Sequence, residues 1–175
     1  MFLKTIVFLP LIASILSGLF SMRKLDGLAI LTTIISISIS FILSCFAFFY
    51  VAIDGNFLTL DIAKWISVYN FEVNWALKFD TLSSVMLFVV TSVSLCVHIY
   101  SIGYMSHDPS KGRFMSYLSF FTFAMLILVT SDNLVQLFFG WEGVGVASYL
   151  LIGFWYKKES AHKAAMKAFI VNRVG

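Results

Sequence analysis

An all-α membrane protein is the fold this sequence predicts: five transmembrane helices plus the start of a sixth, with a short extramembrane β-hairpin between helices 2 and 3. Three observations carry that expectation. Of the 175 residues, 60% are apolar and only 12% charged, with a mean hydropathy of +0.94, whereas soluble domains run at about 45–50% and about 25%. A soluble core of this size could not hide so much apolar surface, so lipid must be the solvent for most of it. The apolar residues fall into runs long enough to cross a bilayer, and the basic residues gather in alternate connections.

The runs extend from Phe2 to Met22, Gly27 to Ile53, Leu82 to Tyr104, Met115 to Ser131 and Asn133 to Tyr156, and a sixth begins near Lys163. The first resembles a secretory signal, but Pro10 interrupts it and no small-x-small cleavage site precedes Arg23 and Lys24, so a membrane span is the better reading. Cys45 and Cys96 sit inside apolar runs with no CxxC or metal spacing, which leaves them as core or lipid-facing thiols. Only Asp132-Asn133 divides the fourth and fifth runs, so these form a tight antiparallel pair.

The connection from Asp54 to Lys78 differs in kind. Leu58, Leu60 and Ile62 alternate with Thr59, Asp61 and Ala63; Phe71, Val73, Trp75 and Leu77 alternate with Glu72, Asn74 and Ala76. Period-two patterning on both sides of a polar centre, Ser67 to Asn70, predicts a β-hairpin outside the membrane. Trp65 and Trp75 suit the headgroup interface. Asp80 is placed to cap the third helix, while Asp108 and Asp132 read as caps or solvated charges.

Basic residues set the orientation. With the N-terminus outside, the inner side holds Arg23, Lys24, Lys111, Arg113, Lys157, Lys158, Lys163 and Lys167, against Lys4, Lys64 and Lys78 outside, with Arg173 inside the sixth segment. Positive residues favour the cytoplasmic or matrix side. The expected location is therefore the bacterial cell inner membrane or the mitochondrial inner membrane, with the N-terminus on the periplasmic or intermembrane side.

Glu142 lies about ten residues from either end of the fifth span, too deep for its side chain to reach water. An ionised carboxylate there costs about 2.5–3.5 kcal/mol even on the lenient insertion scale, so it needs a partner, a water-filled cavity or a proton. Two readings stand: a proton-handling group, or a packing device bonded across a helix interface. Gly140, Gly143 and Ala147 form a strip allowing close helix approach, Gly145 leaves space for water or a moving side chain, and Gln136 adds a polar group toward the outer end. His98, near the inner end of the third span beside Tyr100 and Ser101, is a proton relay or an ordinary interfacial histidine. Lys163 and Lys167, one helical turn apart, are positive-inside anchors, or Lys167 is carried inward as a partner of Glu142.

No glycine-rich phosphate loop, nucleophile elbow or zinc-ligand spacing is present, and nothing points to nucleic acid, so any redox chemistry is expected on another chain.

Four stretches match a known pattern: Phe79-Asp-Thr-Leu-Ser-Ser-Val-Met-Leu-Phe-Val-Val-Thr, Val97-His-Ile-Tyr-Ser-Ile-Gly-Tyr-Met105, Gly140-Trp-Glu-Gly-Val-Gly-Val-Ala-Ser-Tyr-Leu-Leu-Ile-Gly-Phe-Trp-Tyr156 and Lys167-Ala-Phe-Ile-Val-Asn-Arg-Val-Gly175. They resemble chain L (subunit 5) of the proton-pumping NADH–quinone oxidoreductase, respiratory complex I. The match is nearly continuous from Phe79 to Gly175. Related sodium/proton antiporter subunits keep the Trp-Glu pair, but Gly143-Val-Gly-Val146 argues against them.

The resemblance implies that Glu142 is the fifth-span glutamate of proton translocation, answering to a lysine on a seventh span, with the distance between them governing how firmly the lysine holds its proton. It implies electron transfer from NADH to quinone on partner subunits that carry the FMN and iron–sulfur clusters, and neighbours from the same membrane arm. Residues 1–78 then form an N-terminal two-helix segment with the outer hairpin, and 79–175 the start of the antiporter-like domain. Family members are several times longer, so the chain is expected to be an N-terminal fragment, either of a split or truncated gene or as a partial sequence. As such it either complements a separately encoded remainder or is non-functional, and by itself it completes no proton path.

Overall fold

Backbone groups in hydrocarbon must bond to protein, which leaves helices as the spanning element for a chain of this pattern. The computed structural model describes residues 2–69 and 71–174; Asn70, in the polar turn, and Gly175, at the end of the sixth segment, lie outside the described residues. The elements run α1 (Phe2–Met22), α2 (Asp26–Ala47, continued by a π-helical turn, Phe48–Ile53), β1 (Leu58–Val68), β2 (Phe71–Phe79), α3 (Thr81–Tyr104), α4 (Lys111–Val129), α5 (Leu134–Ile152) and α6 (Glu159–Val174). Five of these helices are long and apolar enough to cross a membrane, so the chain is an integral membrane protein.

Several boundaries differ from the hydropathy pattern. α4 begins at Lys111 rather than Met115, because the Arg113 guanidinium is taken up by the Phe154 ring 4.8 Å away, and it ends at Val129 rather than Ser131. α5 stops at Ile152 instead of running on to Tyr156, with Gly153 as its C-cap. Its N-cap is Asn133, whose side-chain oxygen accepts from the Gln136 N–H at 2.9 Å. Asp80 caps α3 as expected, accepting from the Ser83 N–H at 2.7 Å.

Side-chain hydroxyls tie α1 to its neighbours. Pro10 lies inside α1 and brings no N–H, so the Ile6 carbonyl one turn earlier loses its helical donor. Ser40 of α2 donates to that carbonyl at 3.2 Å. Ser14 and Ser116 exchange hydroxyl-to-carbonyl bonds of 2.9 and 2.7 Å between α1 and α4, and Ser17 donates to the Gly112 carbonyl at 3.1 Å.

The hairpin pairs antiparallel from Leu58 opposite Phe79 to Val68 opposite Phe71. β1 has 11 residues and β2 has 9, and register shifts at Asp61/Ala63 and Lys64/Ile66 absorb the difference. The sheet is docked on the α4–α5 turn: the Lys78 N–H donates to the Thr130 carbonyl at 2.8 Å, Asn133 Nδ2 to the Asn74 carbonyl at 2.8 Å, and the Ala76 N–H to Gln136 Oε1 at 3.1 Å. Trp65, Trp75 and Phe139 close the joint, with ring centroids 4.9 to 5.9 Å apart. Beneath it Leu77, Phe79, Leu87, Leu126 and Ile127 form a buried core with Ile6 and Val51.

Two outcomes follow. Ser40→Ala should destabilise the detergent-solubilised chain by about 1–3 kcal/mol by orphaning the Ile6 carbonyl; in a Pro10→Ala background, where the helical donor returns, the same change should cost far less, as read by chemical unfolding. The Ser83 backbone N–H, joined by Lys78 at 3.6 Å, holds the Asp80 carboxyl below its usual range. A depressed folded value stabilises above the ordinary carboxylate range and is lost as pH falls through it. Asp80→Ala should therefore cost about 1 kcal/mol at neutral pH, and the gap from the parent chain should close under acid.

Candidate functional site

α5 places Glu142 mid-span, about 12 Å along the axis from Leu134 and about 15 Å from Ile152. Its side chain is only 17% exposed, and Oε2 lies 2.5 Å from Nη1 of Arg173 on α6. That oxygen has no aligned hydrogen-bond donor; the guanidinium is close enough for a strong Coulombic contact but approaches off the hydrogen-bonding direction. Arg173 is steadied by the Phe169 ring, whose centroid is 4.7 Å from its guanidinium carbon. The cation facing Glu142 is therefore Arg173, which the charge pattern of the sequence left simply as a residue of the sixth segment.

Lys167 does not take this position. It is exposed on α6 and makes no salt bridge among the described residues. Lys163 pairs instead with Glu159 at 2.7 Å in the first turn of α6.

Small residues bring the two charged helices together. A Cβ at Gly145 would overlap the Asn172 side-chain amide, and one at Gly153 would meet Ala165 at 3.3 Å. The space at Gly145 is thus filled by Asn172 and not left for water. On the opposite side, a Cβ at Gly140 would come within 2.8 Å of the Leu128 backbone and one at Gly143 within 3.2 Å of Ala124. Gly140 and Gly143 admit α4; Gly145 and Gly153 admit α6. The Trp141 indole N–H donates to the Asn172 carbonyl at 3.2 Å, and Tyr149 meets Phe169 with centroids 5.6 Å apart.

His98 is fully buried. Ser84, Leu87, Thr91 and His98 follow helical spacing on one face of α3, and all four are fully buried. Nδ1 lies 2.8 Å from the Ser94 carbonyl and so carries the proton, leaving Nε2 to accept from the Ser119 hydroxyl of α4 at 3.1 Å. The Ser94 and Thr122 hydroxyls meet at 2.6 Å alongside. Both ring nitrogens are satisfied, so this is a hydroxyl-lined seam between α3 and α4. It is built apart from Glu142, whose partners all come from α6.

Residues 65–115 match the family described as NADH-Ubiquinone oxidoreductase (complex I), chain 5 N-terminus, and residues 131–175 match NADH:quinone oxidoreductase/Mrp antiporter, TM. The chain is 51% identical over 170 residues to NADH-quinone oxidoreductase subunit L of Rickettsia bellii, covering 97% of this chain and 26% of that protein. It is 56% identical over 172 residues to NADH-ubiquinone oxidoreductase chain 5 of Triticum aestivum, covering 97% and 25%. The chain thus spans about a quarter of the length of these curated relatives. A chain of the membrane-bound sulfane sulfur reductase, an archaeal respiratory membrane complex, superposes with a TM-score of 0.81 over 96% of this chain and 33% of that one. At 16% identity it speaks to the fold alone.

Glu142 and Arg173 should be energetically coupled. In a double-mutant cycle with Glu142→Gln and Arg173→Gln, each single change leaves one charge unanswered in the membrane. The double variant should then recover about 1–3 kcal/mol relative to the sum of the singles, measured by unfolding in detergent.

Proposed function

Because this chain belongs to the complex I chain 5/subunit L family of antiporter-like proteins, we propose that it supplies the N-terminal part of a membrane-arm subunit that translocates protons, with Glu142 handling the proton. The observation that carries this reading is a mid-span carboxylate, 17% exposed, held by a cation on the next helix with one oxygen free of any aligned donor. An arginine keeps its charge at any accessible pH. Arg173 therefore acts as a fixed positive partner, and the carboxylate is the member of the pair able to change protonation. Drawing Arg173 away leaves an uncompensated anion in hydrocarbon, which must take a proton or another cation. Bringing it back favours release. A further cation offered to the unaligned oxygen would compete with Arg173 and perform the same exchange from the other side.

In this reading residues 1–78 are scaffold and 79–175 begin the translocating domain. His98 and Lys167 are secondary candidates, His98 through its hydroxyl neighbours and Lys167 through its exposed place on α6. The neighbours are other membrane-arm subunits, and NADH, FMN, iron–sulfur clusters and quinone are handled on partner subunits. The membrane is that of a bacterial cell or the mitochondrial inner membrane, with the end bearing Lys24, Lys111, Arg113, Lys157 and Lys158 on the cytoplasmic or matrix side. Identities of 51–56% to subunit L and chain 5 favour this over a free-standing sodium/proton antiporter.

Glu142→Gln in an assembled complex should abolish or greatly reduce proton pumping, measured by a pH-sensitive dye in vesicles, while assembly stays largely intact. Undiminished pumping in the assembled variant would exclude the role. Failed assembly would instead make Glu142–Arg173 a packing pair.

A further inference from the structure

The end of the bundle where α1 finishes and α4 begins carries a feature that Glu142 and its partners do not use. Arg113 is the shared wall of three cavities, of about 640, 280 and 210 Å³. Its guanidinium lies 4.8 Å from the Phe154 ring centroid and 5.7 Å from that of Tyr156. Among the described residues its buried Nε has no acceptor and no carboxylate pairs with it.

The largest cavity is a groove between α1 and α4, graded along its length. Ile15 and Leu19, exposed apolar side chains, line it along the α1 span, and Met22, Lys24, Ser110 and Arg113 line it where α1 ends and α4 begins. Lys157 and Lys158 stand at the adjoining cavity. Two acids are near. Asp108 is engaged by the Trp155 indole N–H at 3.1 Å and the Ser110 N–H at 2.8 Å, and Asp26 lies against Gly112. The cations outnumber them.

We propose that this groove binds one anionic phospholipid, its acyl chains along Ile15 and Leu19 and its phosphate on Lys24 and Arg113. The apolar-to-cationic gradient matches the sequence of chemistries in such a lipid. A free phosphate would use only the basic end, and a neutral lipid would leave the cations unanswered. Basic pockets between helices at a membrane surface suit anionic headgroups, and a guanidinium that no described carboxylate pairs with keeps its charge for phosphate oxygens. The inference is independent of the role assigned to Glu142.

The test is lipid binding to the chain in detergent micelles, counted by native mass spectrometry, with phosphatidylglycerol, phosphatidylcholine and inorganic phosphate as probes. Phosphatidylglycerol should bind at least about 10-fold more tightly than phosphatidylcholine. Lys24→Gln/Arg113→Gln should remove about 10-fold or more of that affinity, while Lys4→Gln/Lys64→Gln, at the other end of the bundle, should not. Equal retention of the two lipids, or undiminished phosphatidylglycerol binding by the Lys24/Arg113 variant, would overturn the proposal. Inorganic phosphate binding as tightly as phosphatidylglycerol would overturn it in favour of a soluble-anion site. Should the double variant misfold, Lys24→Gln alone, at an exposed position, must weaken phosphatidylglycerol several-fold; no change would equally overturn it.

Discussion

Hydrocarbon offers no hydrogen-bond partner, and most of this structure follows from the need to replace what water would have supplied. Pro10 costs α1 one donor, and a serine on α2 returns it. Thr91, Ser101, Thr122 and Thr130 turn their hydroxyls onto carbonyls of their own helices, one turn back. His98 finds one partner on its own helix and one across the α3–α4 seam. The same demand governs charge. A carboxylate at mid-span cannot be left alone, and Arg173 answers it from α6.

Close approach is the second requirement, because helices in lipid associate through packing and short polar contacts in place of a hydrophobic drive. The glycines of α5 are divided between two neighbours. Gly140 admits the α4 backbone so closely that no methyl would fit, and Gly145 does the same for Asn172 of α6. α5 is thereby wedged between the element that anchors the β-hairpin and the element that carries the countercharge. Gln136, one and a half turns from Glu142 on the same helix, holds the hairpin by its side-chain oxygen.

Much of this was legible in the residues themselves. Length and hydropathy marked the spans because crossing lipid demands a long uninterrupted apolar run. The hairpin stood out because its period changed from that of a helix to two. Glu142 stood out because a charge in such a run is costly. What could not be read was which distant side chain answers it. Arg173 and Lys167 look alike as basic residues in a helix, and only the register between α5 and α6 separates them. Gly145 read as space for water or a moving side chain, and a missing side chain does not reveal which of them, here Asn172, occupies its place. That His98 packs against α4 was not legible either, because nearness to the end of an apolar run does not tell which way a residue faces. The start of α4 was hidden by Lys111 and Arg113, whose charges interrupt hydropathy without interrupting the helix.

The ion pair also bears on how the chain enters the bilayer. Glu142 and Arg173 belong to consecutive helices, so α5 reaches the membrane during synthesis before its countercharge exists. Until α6 emerges, the insertion machinery must accept a lone acid at mid-depth, keep it protonated, or hold the segment in an aqueous cleft. Once both helices are present, the two opposite charges can partition together as a neutral pair, sparing the roughly 2.5–3.5 kcal/mol that each would face singly. For this pair, translation order sets an energetic order: the two helices leave the translocation channel most cheaply as one unit.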